Sequence, residues 1–306
     1  MEIREREEYE LLTFGEENGH IIGSFEDEKE EIFERAIMYK RVKTGEEGYK
    51  LEKKYFLEKA PVGAIRYSRS NPPVVLFAPQ HIDIIVHGPS YRREYINSVI
   101  SAKVAEYAKA LREYEAVLRR RNALLENYID KSTLRHDLAH WDELLIENAQ
   151  IIQSNREKYL DYLHADHSCA GKRFRVIYKS SRLSSGRLDE LFEKEAAARR
   201  TLAGPQKDDL EIQIEVSNDK YVSVHAYASR SQQRLAILWL KMRELDYLAL
   251  DNGTPLLLLD DVYSEFDSVY RKIVTSIIPN YQTIVTATDE ISIPQDVARN
   301  MKIIRV

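Results

Sequence analysis

Apolar and polar residues alternate with a period of two in three early segments, HIIGSFE at 20–26, EIFERAIMYKR at 31–41 and YKLEKKYFLE at 49–58. That period sends successive side chains to opposite faces of a strand. Charged or glycine-containing turns such as Thr44-Gly45-Glu46-Glu47-Gly48 separate the segments, which predicts an antiparallel meander. VVLFAPQ at 74–80 reads as a further short apolar strand closed by a proline. From about Tyr95 to Leu163 the period becomes helical. Val104, Leu111, Leu118 and Leu125 stand seven apart, and Leu138, Leu145, Ile152 and Tyr159 repeat the spacing. A break near 130–133 lies between the two sets, where Ser132 or Thr133 can cap a new helix. Two long helices with a short reversal make an antiparallel arm, and a seam this short predicts an intramolecular projection rather than a dimerising coiled coil.

After the arm, alternation returns in RFRVIYKS at 173–180, LEIQIEV at 210–216 and VSVHAYA at 222–228, with a helical stretch at about 185–200 between them. The last eighty residues read helix (231–250), strand (256–259), helix (267–278), strand (283–287) and a terminal strand (302–306). Strands alternating with helices predict a layered α/β body, interrupted in mid-chain by the helical arm. Three ranges follow: a β-rich part at 1–97, the inserted arm and its lobe at 98–198, and an α/β part at 199–306.

Composition changes this picture little. With 306 residues, 43% apolar and 31% charged, the chain can bury a sizeable core. No apolar run approaches the ~20 residues that cross a bilayer. The charged start MEIREREEYE does not resemble a secretory signal, so a cytoplasmic protein is expected. The single cysteine, Cys169, has no metal-ligand spacing around it. A formal net charge of −5 argues against whole-molecule attraction to nucleic acid and leaves local basic clusters to supply it. Candidates are Arg92-Arg93, Arg119-Arg120-Arg121, Lys172-Arg173 with Arg175, and Arg199-Arg200, each of which reads more readily as a solvated helix or strand face than as a phosphate contact. The histidines show no ligand set; His164 and His167, three apart near Asp166, only mimic one.

The chemistry lies in the final third. PLLLLDDVYSEFD, at 255–267, drives four leucines into two adjacent aspartates. An apolar run bounded in this way fits a strand buried on both faces of a parallel sheet, and such sheets present ligands at their carboxyl ends. Two neighbouring carboxylates there call for a cation, and Mg²⁺ with a phosphate is the economical choice. In ASRSQQRLAILWLKM, at 228–242, small and polar residues precede an amphipathic helix whose first turn offers free N–H groups, the Ser229 hydroxyl and the Gln232 and Gln233 amides, an arrangement suited to an anion. QTIVTATDE, at 282–290, is a second buried strand ending in Thr286, Thr288 and Asp289.

A polar helix start, an apolar strand ending in acids, an acidic turn and then a polar strand end form an order that resembles the carboxyl half of an ABC-type ATPase head of the SMC kind, which an inserted helical arm splits in sequence. LFAPQHIDIIVHGPSYRREYIN (76–97), EYEAVLRRRNALL (113–125) and RRTLAGPQKDDLEI (199–212) narrow the resemblance to the RecF family, over nearly the whole chain. By resemblance, Ser229-Arg230-Ser231-Gln232-Gln233 stands at the ABC signature, Asp260 at the magnesium position, Asp261 at the catalytic acid and 264–267 at the D-loop. Thr286 or Thr288 stands at the switch. The implied nucleotide contacts are Ser229, Ser231, Gln232, Gln233, Asp267 and Gln80, with Asp261 and Thr288 catalytic and Asp260 on the metal.

The fold so implied is α/β, an ABC/SMC-type ATPase head with an inserted antiparallel helical arm. The implied protein is cytoplasmic, binds ATP, Mg²⁺ and DNA, both single-stranded and at duplex or gapped junctions, and dimerises on ATP. It hydrolyses ATP weakly and works with RecR and RecO in loading the RecA recombinase during recombinational repair, replication restart and the SOS response.

Three features depart from the family's pattern. Ser231 stands where glycine is usual, and its Cβ can crowd a phosphate. Gly204-Pro205-Gln206-Lys207-Asp208-Asp209 replaces the usual Gly-Pro-His-Arg-Asp-Asp. No G-x-x-x-x-G-K-[ST] occurs, and TGEEGYK at 44–50 has the wrong spacing for a phosphate loop. An amino-terminal truncation is the expectation, with weak ATP binding and little turnover by these residues alone. Two other readings stay open: a nucleotide-independent subunit that keeps only DNA or protein binding, and a metal-dependent nuclease built on Asp260, Asp261 and Asp289.

Overall fold

The computed structural model describes residues 11–26, 30–44, 48–165, 168–249, 254–265, 268–288, 293–299 and 301–305; at 264, 265, 268, 269, 295 and 296 it describes the backbone only. Contacts group the chain into two units, Met1–Pro72 and Pro73–Val306.

In the first unit, strands β1 (Asn18–Glu26), β2 (Ile32–Thr44), β3 (Gly48–Leu57) and β4 (Ala60–Val62) pair in chain order as an antiparallel meander, as the alternation predicts. The register sets Ile21 opposite Ile37 and Tyr39 opposite Lys53. Glu58 and Lys59, at φ 49° and 64°, make the two-residue turn into β4, the positive-φ hairpin that follows strand twist. Helix α1 (Ala64–Ser70) closes the unit: Tyr67 lies 5.1 Å from Tyr55 between ring centroids, and Arg35 donates to Ser70 Oγ at 2.7 Å.

The second unit opens with β5 (Val74–Phe77), a 3-10 turn at Pro79–Ile82, α2 (Asp83–Val86), α3 (Pro89–Lys103), α4 (Ala105–Asn127) and α5 (Lys131–Ala165). β6 (Ser168–Cys169), β7 (Lys172–Lys179) and α6 (Ser185–Ala198) follow, then β8 (Asp209–Ser217), β9 (Lys220–Ser223), α7 (Val224–Tyr227) and α8 (Arg230–Ala249). The chain ends in β10 (Leu256–Asp260), α9 (Val262–Glu265), α10 (Ser268–Ile277), β11 (Thr283–Thr286) and α11 (Gln295–Ala298).

β11, β10 and β5 form a parallel sheet in that order, with Leu259 beside both Phe77 and Val285. β6 to β9 form an antiparallel sheet in chain order. One apolar core joins Val75 and Phe77 of β5, Ile96 and Ile100 of α3, Leu238 and Trp239 of α8, and Leu257 and Leu259 of β10. Each such side chain, fully buried, contributes roughly 1.5–3 kcal/mol. Leu256 and Leu258 on the other face of β10 are only half-buried, so the leucine run is sealed on one face rather than two.

The helical region differs from the expected two-helix arm. Val104, at φ −106° and ψ 99°, is extended and ends α3, so the stretch contains three helices. The cap of α5 is Asp130, whose Oδ1 accepts from the Ser132 N–H at 2.8 Å; Ser132 donates its own hydroxyl to Asp130 Oδ2 at 2.7 Å and lies inside the helix. The lower half of the hairpin, through Tyr107, Tyr114, Leu145, Ile152 and Tyr159, belongs to the main core. Only its tip, with Leu125, Leu134 and Leu138 against Phe192 and Ala196 of α6, forms a cluster of its own.

Among the described residues, one expected strand is cut short and another does not form. Pairing between β8 and β9 stops at Gln213 opposite Ser223, and the chain turns into α7, so 222–228 alternates without remaining extended. Residues 302–305 take no strand pairing, and Ile303 and Ile304 are exposed.

Candidate functional site

The parallel order of β11, β10 and β5 brings three carboxyl ends to one edge. β5 delivers Ala78-Pro79-Gln80, β10 delivers Asp260-Asp261 and β11 delivers Thr286, the place where an open parallel sheet offers its ligand site. Thr286 donates its hydroxyl to Asp260 Oδ1 at 2.6 Å. The Asp261 N–H donates to the Thr286 carbonyl and to Thr286 Oγ1, both at 3.2 Å. Asp261 has φ 50°, a left-handed conformation that aspartate tolerates better than most residues. Thr288 is exposed two residues beyond Thr286.

Gln80 sits in the turn after β5. Its amide oxygen is buried and, among the described residues, has no hydrogen-bond partner. It lines a cleft of about 510 Å³ whose other wall carries Arg230 and Arg234 of α8, with Val262 at its edge. The next residue, His81, is buried, and its Nδ1 accepts from the Ala78 N–H at 3.0 Å, which closes the turn and places the ring proton on Nε2. Burial first, and then the Lys241 charge, lower its pKa to about 3, so the ring is neutral.

The helix start is built as expected, with its side chains already engaged. Ser229 Oγ accepts from the Gln232 N–H at 3.3 Å while Gln232 Oε1 accepts from the Ser229 N–H at 2.9 Å, a reciprocal capping box. Gln233 is buried and donates to the Val224 carbonyl at 3.4 Å, tying α8 to α7. Ser231 is exposed, and its carbonyl accepts from the Tyr270 hydroxyl at 2.8 Å, tying the same turn to α10. Asp267 and Asp289 lie outside the described residues.

The structure thus brings Gln80, Asp260, Asp261 and Thr286 to one edge, with Arg230 and Arg234 across the cleft from Gln80. Two carboxylates and an amide oxygen that has no donor among the described residues are hard oxygen ligands, a set that fits Mg²⁺, while the Thr286 hydroxyl is already committed to Asp260 and the Asp261 amide.

Several charged residues are engaged by acids or carbonyls within the fold. Arg92 is bound to Asp209 at 2.8 Å, Arg93 donates to the Asp208 carbonyl at 2.9 Å, and Arg173 lies 3.4 Å from Glu215 and Asp219. Arg121, read as one of a basic run, is 1% exposed and pairs with Asp142 at 2.6 Å and Glu195 at 2.8 Å. Asp208 is buried and accepts from Arg156 at 2.6 Å, the Ser181 N–H at 2.7 Å, Gln153 at 3.1 Å and the Tyr178 hydroxyl. At Gly204, φ is 120° and a Cβ would stand 2.3 Å from the Tyr114 hydroxyl, so this loop closes against the hairpin only with glycine. The signal for this network was present in the spacing of Tyr107, Tyr114 and Arg121, seven apart and on the buried face of α4.

A three-stranded parallel sheet edge carrying paired acids, a polar turn after the neighbouring strand and a long helix behind it give the α/β fold of an ABC-type head, with a helical hairpin between its halves. No protein-family model matches the chain. The DNA replication and repair protein RecF of Halothermothrix orenii is 31% identical over 279 residues, 83% of this chain and 73% of that protein. The RecF of Clostridium tetani is 32% identical over 253 residues, 76% of this chain and 67% of that protein. The solved structure of the recombination mediator protein RecF-ATPrS in the RecFOR pathway superposes with a TM-score of 0.79 at 26% identity, covering 94% of this chain and 79% of that one. The chain belongs to the RecF family of DNA replication and repair proteins.

Proposed function

We propose that this chain carries the magnesium and water-activating side of a Mg·ATP site and acts as a RecF-like, ATP-dependent DNA-binding protein in recombinational repair. The supporting observation is the convergence of Gln80, Asp260, Asp261 and Thr286 at one sheet edge. Asp260 and Gln80 would hold Mg²⁺, which supplies charge neutralisation to the β- and γ-phosphates. Asp261 orients or deprotonates the attacking water, with Thr288 the second candidate catalytic residue and Asp267 a nucleotide contact that the family resemblance alone suggests. The start of α8, with exposed Ser231 foremost, faces nucleotide held by a second copy, so ATP forms part of a homodimer interface. Ser229, Gln232 and Gln233 hold that turn in shape through the cap and the α7 tie. DNA at gaps and junctions, RecR and RecO are the proposed partners, in the cytoplasm.

These 306 residues contain no phosphate loop, so the chain as given is expected to bind Mg·ATP more weakly than micromolar. The test compares the chain with the same chain joined to the phosphate-loop segment of a RecF relative, by nucleotide titration, light scattering and DNA binding. The joined protein should bind Mg·ATP and associate into dimers, and Asp260→Asn should abolish both. A joined protein that stays monomeric, binds no nucleotide and holds DNA equally with and without ATP would replace this reading by that of a nucleotide-independent binding subunit. DNA cleavage with Mg²⁺ alone would replace it by that of a nuclease.

A further inference from the structure

We infer that Thr286 is a positioning residue whose hydroxyl links the metal-side carboxylate of Asp260 to the backbone of Asp261 and thereby selects the left-handed conformation of Asp261. A hydroxyl has one proton to donate and lone pairs that accept. At Thr286 the proton goes to Asp260 Oδ1 at 2.6 Å, and the oxygen accepts the Asp261 N–H at 3.2 Å. The Thr286 carbonyl takes the same N–H at 3.2 Å, so the last residue of β11 grips that amide at two points. Of these two groups of Thr286, the hydroxyl is the one that also reaches Asp260.

The parallel register explains why this residue does so. Asp260 is the partner of Thr286, so the strand end is paired to its last residue and the next amide points at the neighbouring strand's end. A strand continuing past Asp260 would send the Asp261 side chain to the opposite face. Turning Asp261 to φ 50° breaks that alternation before α9 begins, at a conformational cost that the two hydrogen bonds on its amide offset. A carboxylate oriented by a donor outside the metal's own shell holds metal better than a free one. Thr288, exposed and two residues further on, makes no such link.

The metal half of this proposal rests on the Mg²⁺ reading of Asp260, whereas the backbone half does not. The test therefore reads both on the isotope-labelled chain: the Asp261 backbone conformation from its chemical shifts, and local broadening by Mn²⁺ as the metal probe. Thr286→Val, which removes the hydroxyl at nearly constant shape, should move Asp261 out of the left-handed region. It should also raise the Mn²⁺ concentration for half-maximal broadening at residues 260 and 261 about tenfold. Thr286→Ser keeps the hydroxyl and should match the parent in both readings, a rescue that a merely structural contact of the Thr286 methyl would not give. The proposal is overturned if Thr286→Val keeps the parental shifts and midpoint, or if Thr286→Ser behaves like Thr286→Val. Should Mn²⁺ broaden nothing local even in the parent, the metal reading fails, and the Asp261 shifts decide the backbone link unaided.

Discussion

His81 shows how one side chain's protonation follows from where the fold places it. Its Nδ1 accepts the Ala78 N–H, and burial with the nearby Lys241 charge holds the ring neutral down to about pH 3. The unfolded chain titrates near 6.5, so the folded pKa lies below the unfolded one. The stabilisation is complete above pH 6.5 and is lost as pH falls from 6.5 toward 3. At pH 4.5 the loss should be about 2 kcal/mol relative to pH 7. His81→Asn keeps an acceptor for Ala78 without the titration, so its urea-unfolding free energy should fall less across that range. Equal slopes for the two proteins would show that His81 carries no such term. At this scale the sequence was partly readable. The two aspartates stood out because a leucine run ended in them. Thr286 and Thr288 could not be separated, because only register shows which hydroxyl faces Asp260. Arg121 was read as surface because its two neighbours are arginines, whereas its acids, Asp142 and Glu195, lie far along the chain.

Elements were readable where periodicity and turn chemistry agreed, as in the meander, α5, α8 and β10. They were misread where pairing decided. β9 ends because the chain turns into α7 at Val224, although β8 runs on to Asp209, and among the described residues the terminal isoleucines lie in no strand. The start of α8 is an element whose local chemistry carries its own consequence. Ser229 and Gln232 satisfy each other's amides, so each should contribute about 1 kcal/mol to stability. The two should be coupled: Ser229→Ala and Gln232→Ala combined should cost less than the sum of the singles, read by urea unfolding in a double-mutant cycle. Strict additivity would mean that the two hydrogen bonds do not form one unit.

At the scale of the second unit, the hairpin is held by more than apolar packing. Arg156 of α5 is 2% exposed and meets Asp208 of the loop before β8, which is 1% exposed, at 2.6 Å. Arg156 also donates to the Pro205 carbonyl at 2.9 Å and to Asn97 at 2.9 Å, so one guanidinium joins α5, α3 and the Gly204 loop. The sequence showed the helices but not this joint, because its members are scattered from 97 to 208 and none is unusual alone. Breaking a buried pair by removing one charge leaves the other uncompensated, so Arg156→Met should cost about 3–5 kcal/mol. Adding Asp208→Asn should recover part of that loss. A projecting arm would unfold apart from the head, whereas a hairpin sharing the head's core and this ion pair should unfold with it. The chain's two tryptophans report the two sides: Trp141 lies on α5, and Trp239 is buried in α8 against Phe174. With Trp141→Phe and Trp239→Phe each isolating one reporter, the urea midpoints should coincide and should fall together when Arg156→Met is added. A Trp141 transition that precedes the Trp239 transition in the parent would make the hairpin a separate folding unit and reduce the Arg156–Asp208 pair to a local contact.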